Sequence, residues 1–177
     1  MIAELQYKIS IFKRLSDTVK NIDIIVNKVV EDNKDILLSL NRDQMLLGRD
    51  SKGDILSPSY LQDPYFNTPQ AAQSYARMKY ALESSHNSRL WTPVQLYPEK
   101  DRNTPNLIVT GLFQGAMYIT TGSGKYTLGS NYINSPDIET KYRNRVFGLA
   151  PRSKEYFYLE FIKPAIIKAL DYGMQLW

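Results

Sequence analysis

The sequence predicts an α+β fold in which a long N-terminal helix and a kinked C-terminal helix pack on a small antiparallel sheet. Three observations carry that expectation. From Ile22 to Leu47 apolar residues recur at spacings of three and four, the period of one helix face. From Ala116 to Ile133 two segments rich in Tyr, Ile, Thr and Leu flank Gly122-Ser123-Gly124, the composition of a β-hairpin. From Ser153 onwards Tyr158, Ile162, Ala165, Ile166 and Ala169 return to helical spacing, with Pro164 among them to kink the helix.

In chain order, residues 2–18 place Ile2, Leu5, Ile9, Phe12 and Leu15 at helical spacing with charges between. The long helix, residues 21 to 48, opens at Asn21 or Asp23, is interrupted by a polar turn at Asp32 to Lys34, and ends where Gly48 offers a left-handed cap. Its β-branched residues lower its intrinsic propensity, so tertiary packing has to hold it. Arg49 to Asp54 reads as a turn. Ile55 to Tyr60 is at most an edge strand, because Pro58 cannot join a ladder.

Prolines 58, 64 and 69 punctuate a loop, and Pro69 opens a helix through Ser84 with a partial stripe of Tyr75, Met78 and Leu82. Residues 85–106 are polar and proline-rich, the composition of an interaction arm. Trp91, Leu96 and Tyr97 in that arm either fill their own core or anchor a neighbour; a subunit interface is the expected role. In the hairpin, near 113–133, Met117 and Ile119 share one face with Tyr118 on the other, and Tyr126, Leu128 and Tyr132 share a face. Ser135-Pro136-Asp137 opens a short helix over Asp137 to Asn144, and Ser153 is the expected N-cap of the last helix. Gly173 ends that helix, leaving an apolar tail, Met174 to Trp177.

A chain of 177 residues suits one domain, 1–177, with a long irregular insertion at about 60–106. No apolar run approaches the length of a membrane span, and Glu4, Lys8 and Lys13 stand where a signal peptide needs an apolar block. The chain has no cysteine, which excludes disulfides and thiolate metal sites, and its one histidine, His86, excludes a multi-histidine site. The net charge of +4 is unevenly placed. Lys141, Arg143, Arg145, Arg152 and Lys154 follow one another with no acidic residue between them. Such a cluster meets phosphate or an acidic surface, or is simply a solvated positive face.

Candidate chemistry falls short at each place. Thr121-Gly122-Ser123-Gly124-Lys125 has the ending of a phosphate-binding loop, but Ile119 replaces the first glycine, Tyr126 the Ser or Thr after the lysine, and strand follows strand. His86 has no obvious triad partners. Asp32 with Asp35 reads as a solvated helix face, and Asp137 with Glu139 as a match to a helix dipole. Thirteen tyrosines suit interfaces and cores alike. No catalytic residue, cofactor or metal is expected.

Two patches resemble the small tail-completion or minor-tail proteins of tailed bacteriophages, those of Bacteroides phages especially. The first is Gln44, Gly48, Asp50, Gly53, Ile55 and Tyr60, a long helix running into a glycine turn and a following tyrosine. The second is Thr110-Gly111-Leu112-Phe113, the hairpin, Lys141-Tyr142 and Val146-Phe147-Gly148-Leu149 before the last helix. Together they span roughly residues 20 to 172, with Arg143 where the family often has glycine and a longer insertion from Tyr60 to Asn106. The resemblance implies a structural virion protein, made in the host cytoplasm and assembled as a homo-oligomeric ring at the neck or tail. Its partners would be other neck or tail proteins and, non-specifically, DNA in the channel, with no membrane. Lys141, Arg143, Arg145, Arg152 and Lys154 would then face the DNA path or an acidic neighbour. A nucleic-acid-binding module using 141–154, with Tyr142 and Phe147 stacking, is the alternative; a hydrolase built on carboxylates or His86 is the third.

Overall fold

The computed structural model describes residues 12–13, 15–85, 89–122 and 125–174. The N-terminal segment before residue 12, His86, Ser123-Gly124 and the tail beyond Met174 lie outside them. The architecture is α+β: helices and one two-stranded antiparallel sheet. No helix among the described residues is long and apolar enough to cross a membrane. The chain divides into two compact units, where its length alone leads to the expectation of one domain. The first comprises Met1–Lys34, Thr121–Tyr126 and Glu155–Trp177; the second comprises Asp35–Thr120 and Thr127–Lys154.

In the first unit residues 15–20 are helical and α1 follows at Ile22–Asp32. Asn21 occupies the N-cap position but makes no side-chain cap bond. The predicted long helix stops at Asn33, where φ falls to −121°. Both the backbone N–H of Asn33 (3.1 Å) and its side-chain amide (2.8 Å) donate to the Val29 carbonyl. Short polar side chains compete with the helix ladder in this way, which is why the polar turn interrupts the helix. α1 packs against the C-terminal helical run. At the tip of the hairpin the Thr121 hydroxyl donates to the Glu31 carboxylate.

The predicted kink at Pro164 takes the form of a π-helical turn, Tyr158–Ile162. Pro164 has no N–H for the carbonyl of Glu160 and its ring crowds that carbonyl. The turn ahead of it widens, and the Lys163 N–H reaches the Tyr158 carbonyl five residues back.

α2, Lys34–Leu46, lies in the second unit except for its first residue. It closes on Gly48, whose N–H bonds the Met45 carbonyl while that of Arg49 bonds the Gln44 carbonyl. This double bond is the Schellman stop, and Gly48 meets its left-handed demand at φ +67°. A tight loop then brings Ile55 back antiparallel to Arg49, an isolated bridge in place of the predicted edge strand. A 3-10 turn at Tyr60–Gln62 packs on α3, Pro69–Ser85, one residue longer than predicted.

The expected stripe on α3 is corrected: Met78 is exposed, and the buried face is Ala72, Ala76 and Lys79. The two alanines admit the 3-10 turn closely, and the Lys79 stem lies in the interior while its amino group donates to the Ile108 carbonyl.

A one-turn helix α4 (Leu112–Gly115) leads into β1 (Met117–Gly122), which pairs with β2 (Lys125–Ser130). The expected alternation holds, with Met117 buried, Tyr118 exposed and Ile119 half-buried. α5 spans Ser135–Lys141, beginning at Ser135 where Asp137 was expected. α6 spans Pro151–Phe157, and α7, Lys163–Met174, completes the first unit. The second unit's main core gathers Met45 of α2, Leu56, Phe113, Met117 of β1, Tyr142 and Val146. α2, the second half of the predicted long helix, therefore shares its core with the base of the sheet.

Candidate functional site

One face of α2 is polar and buried, an arrangement in which unmatched donors and acceptors are costly, and only some are unmatched here: Asn41 Oδ1 has no partner among the described residues. Gln44 is fully buried; its amide nitrogen donates to the carbonyls of Asp50 (2.9 Å) and Gly148 (3.0 Å). Its oxygen accepts the backbone N–H of Ala150 at 2.7 Å. Asn41, one turn earlier, donates to the carbonyls of Val146 and Gly148. Asp43 accepts the backbone N–H groups of Trp91 (2.6 Å) and Thr92 (2.9 Å) and the Thr92 hydroxyl. Burial raises the Asp43 carboxyl above its ordinary pKa, against the lowering effect of these bonds. Three residues within a single turn of α2, Asn41, Asp43 and Gln44, thus fix the two loops that carry the candidate interaction residues.

In the aromatic loop the three expected interface residues part company. Trp91 is 43% exposed on a loop whose backbone Asp43 holds. Tyr97 is corrected to a core residue: it is buried with Leu47 and Ala150, its hydroxyl 3.1 Å from Ser153 Oγ. Leu96 is half-buried against the same cluster. Ser153 is not the N-cap expected; α6 begins at Pro151, and the buried Ser153 hydroxyl faces Tyr97 instead.

The basic stretch also separates. Lys141 forms an ion pair with the buried Asp63, and Arg145 lies 3.5 Å from both Asp50 and Asp54. Arg152 donates to the Leu96 carbonyl at 3.2 Å but remains exposed, as do Arg143 and Lys154. Arg143 and Asn144 take positive φ, 58° and 54°, a left-handed pair that turns the chain off α5. Tyr142 is buried and Phe147 stacks on Phe113 at 5.7 Å, so neither ring is offered to bases. The five cations are three exposed ones and two that tie the second unit together.

Behind Lys141 lies a cavity of about 150 Å³ bordered by Tyr60, Asp63, Tyr75, Lys79 and Tyr142. The phenols there are held in the neutral form. Burial, then the Asp63 charge, then Tyr75 raise Tyr142, and burial followed by Asp63 raises Tyr75. The Lys141–Asp63 ion pair beside these neutral phenols binds α5 to the Asp63 turn. Among the described residues no group of three His, Asp or Glu is arranged to hold a metal.

A surface cleft on α3, bordered by Arg77, Tyr80 and Arg102, was missed by sequence reasoning. The only local signal is the three-residue spacing of Arg77 and Tyr80, which puts both on one helix face. No protein-family model matches the chain, and neither a curated protein nor a solved structure matches it.

Proposed function

We propose that the chain is a structural subunit of a tailed-phage virion, repeated in an oligomeric ring at the neck or tail that leaves a channel for DNA. The observation that carries the assembly role is the state of the first unit. Among its described residues Phe157 alone is buried. Ile22, Ile25, Val26, Val29 and Val30 make one apolar face of α1, yet all stay half-buried, and Val19, Ile24, Leu159 and Ile167 are exposed. An apolar helical stripe left partly in water is what a neighbouring subunit covers. The type of assembly rests on the resemblance of element order to tail-completion proteins. Exposed Arg143, Arg152 and Lys154 are the charges left for the DNA path or an acidic neighbouring ring.

Mass measurement in solution tests the reading. The expected result is a closed oligomer, a fixed multiple of the 20.4 kDa chain, that dissociates when Ile24→Asp and Ile167→Asp are combined while the helical circular-dichroism signal persists. A wild-type chain that stays monomeric at hundreds of micromolar would overturn it.

A further inference from the structure

The cleft on α3 has a volume of about 220 Å³ and a lining of one charge sign. Arg77 and Arg102 border it, Gln73 and Asn103 add amides, and among its described lining residues there is no carboxylate. The Arg102 guanidinium lies 4.3 Å from the centre of the Tyr80 ring and donates to the Tyr80 hydroxyl at 3.4 Å. This contact restrains the guanidinium, and its other N–H groups remain to meet an oxyanion as a fork.

Asp101, next along the chain, is engaged elsewhere. One of its oxygens accepts the N–H groups of Asn103 (2.7 Å) and Thr104 (2.9 Å), and the other accepts the Thr104 hydroxyl (2.9 Å). Leu61 and the buried Ala76 supply an apolar wall beside the two cations.

We infer that this cleft receives an acidic side chain, glutamate or aspartate, from a protein partner. Two guanidinium forks beside an apolar wall complement a carboxylate carried on one or two methylenes: the forks hold the oxygens and the wall covers the carbons. The volume is under the roughly 300–1,000 Å³ of sites that enclose nucleotide-sized ligands. A concave site also suits a projecting side chain better than the convex backbone of a duplex, whose phosphates are met by outward-facing cations. The site is separate from Arg143, Arg152 and Lys154 and does not depend on ring formation.

The test is fluorescence anisotropy with a labelled hexaglutamate peptide, alongside labelled hexaserine and oligothymidine. The wild-type chain should bind hexaglutamate and not hexaserine. Arg77→Gln and Arg102→Gln should each weaken binding about tenfold. Arg102→Lys, which keeps the charge and loses the planar fork, should weaken it about threefold or more. Arg143→Gln should leave it unchanged. All these side chains are exposed, so the fold is retained, as circular dichroism would verify. Equal binding by every variant, or no binding at millimolar peptide, would overturn the inference. So would tighter binding of oligothymidine with the same dependence on Arg77 and Arg102, which would make the cleft a nucleic-acid site.

Discussion

Replacing Gln44 by methionine keeps the volume of the side chain and removes its hydrogen-bonding groups. Three good bonds disappear: those to the Asp50 and Gly148 carbonyls and that from the Ala150 N–H. The partners differ in what they retain. The Asp50 carbonyl still accepts the Gly53 N–H at 2.9 Å, and that of Gly148 still accepts Asn41 at 3.2 Å. The Ala150 N–H, on a residue with no exposed surface, is left without its acceptor. Three lost bonds at about 1 kcal/mol each, plus about 1–3 kcal/mol for the stranded donor, give a loss of about 4–6 kcal/mol. That is a large share of the roughly 5–15 kcal/mol that holds a domain folded. Urea unfolding followed by circular dichroism should show the midpoint falling by about 1.3 M or more, at a slope of about 1–3 kcal/mol per M. Lys52→Ala, on the exposed loop nearby, should change stability by less than about 0.5 kcal/mol. A Gln44→Met loss under about 1 kcal/mol would refute the reasoning.

Two further outcomes follow from the same unit. Gly48→Ala should lower stability by about 2–4 kcal/mol in a thermal melt, because φ is +67° and the new Cβ would stand 2.4 Å from Thr104 Cγ2; an unchanged melting temperature would contradict the cap. Tyr142 holds its proton more tightly folded than unfolded, owing to burial, then Asp63, then Tyr75. Its contribution is therefore intact below the ordinary phenol value of 10.0 and is lost as pH rises past it. Stability should fall across that alkaline range, and Tyr142→Phe should flatten the fall.

What the sequence disclosed was local. The hairpin could be read because alternation and a glycine-rich turn sit within one short stretch, and Met117, Tyr118 and Ile119 took the expected faces. Gly48 and Pro164 could be read because each acts through its own backbone. What stayed hidden depended on partners far along the chain. Lys79 is buried and Met78 exposed because the carbonyl that receives the lysine belongs to Ile108. Lys141 and Arg145 looked like free charge because their acids, Asp63, Asp50 and Asp54, lie in a different stretch altogether. Tyr97 looked like an interface residue because nothing near it signals Ser153. Arg102 in the α3 cleft meets Tyr80 only through folding.

The buried polar face of α2 also defines a path for mechanical load. A pull on the Trp91 loop passes through two backbone N–H bonds into Asp43. From its neighbour Gln44 it passes into the backbone at Gly148 and Ala150, the segment between Arg145 and Arg152. Under load the Trp91 loop and the Gly148–Ala150 backbone would yield as one stiff element, and the strut between them is a single turn of helix.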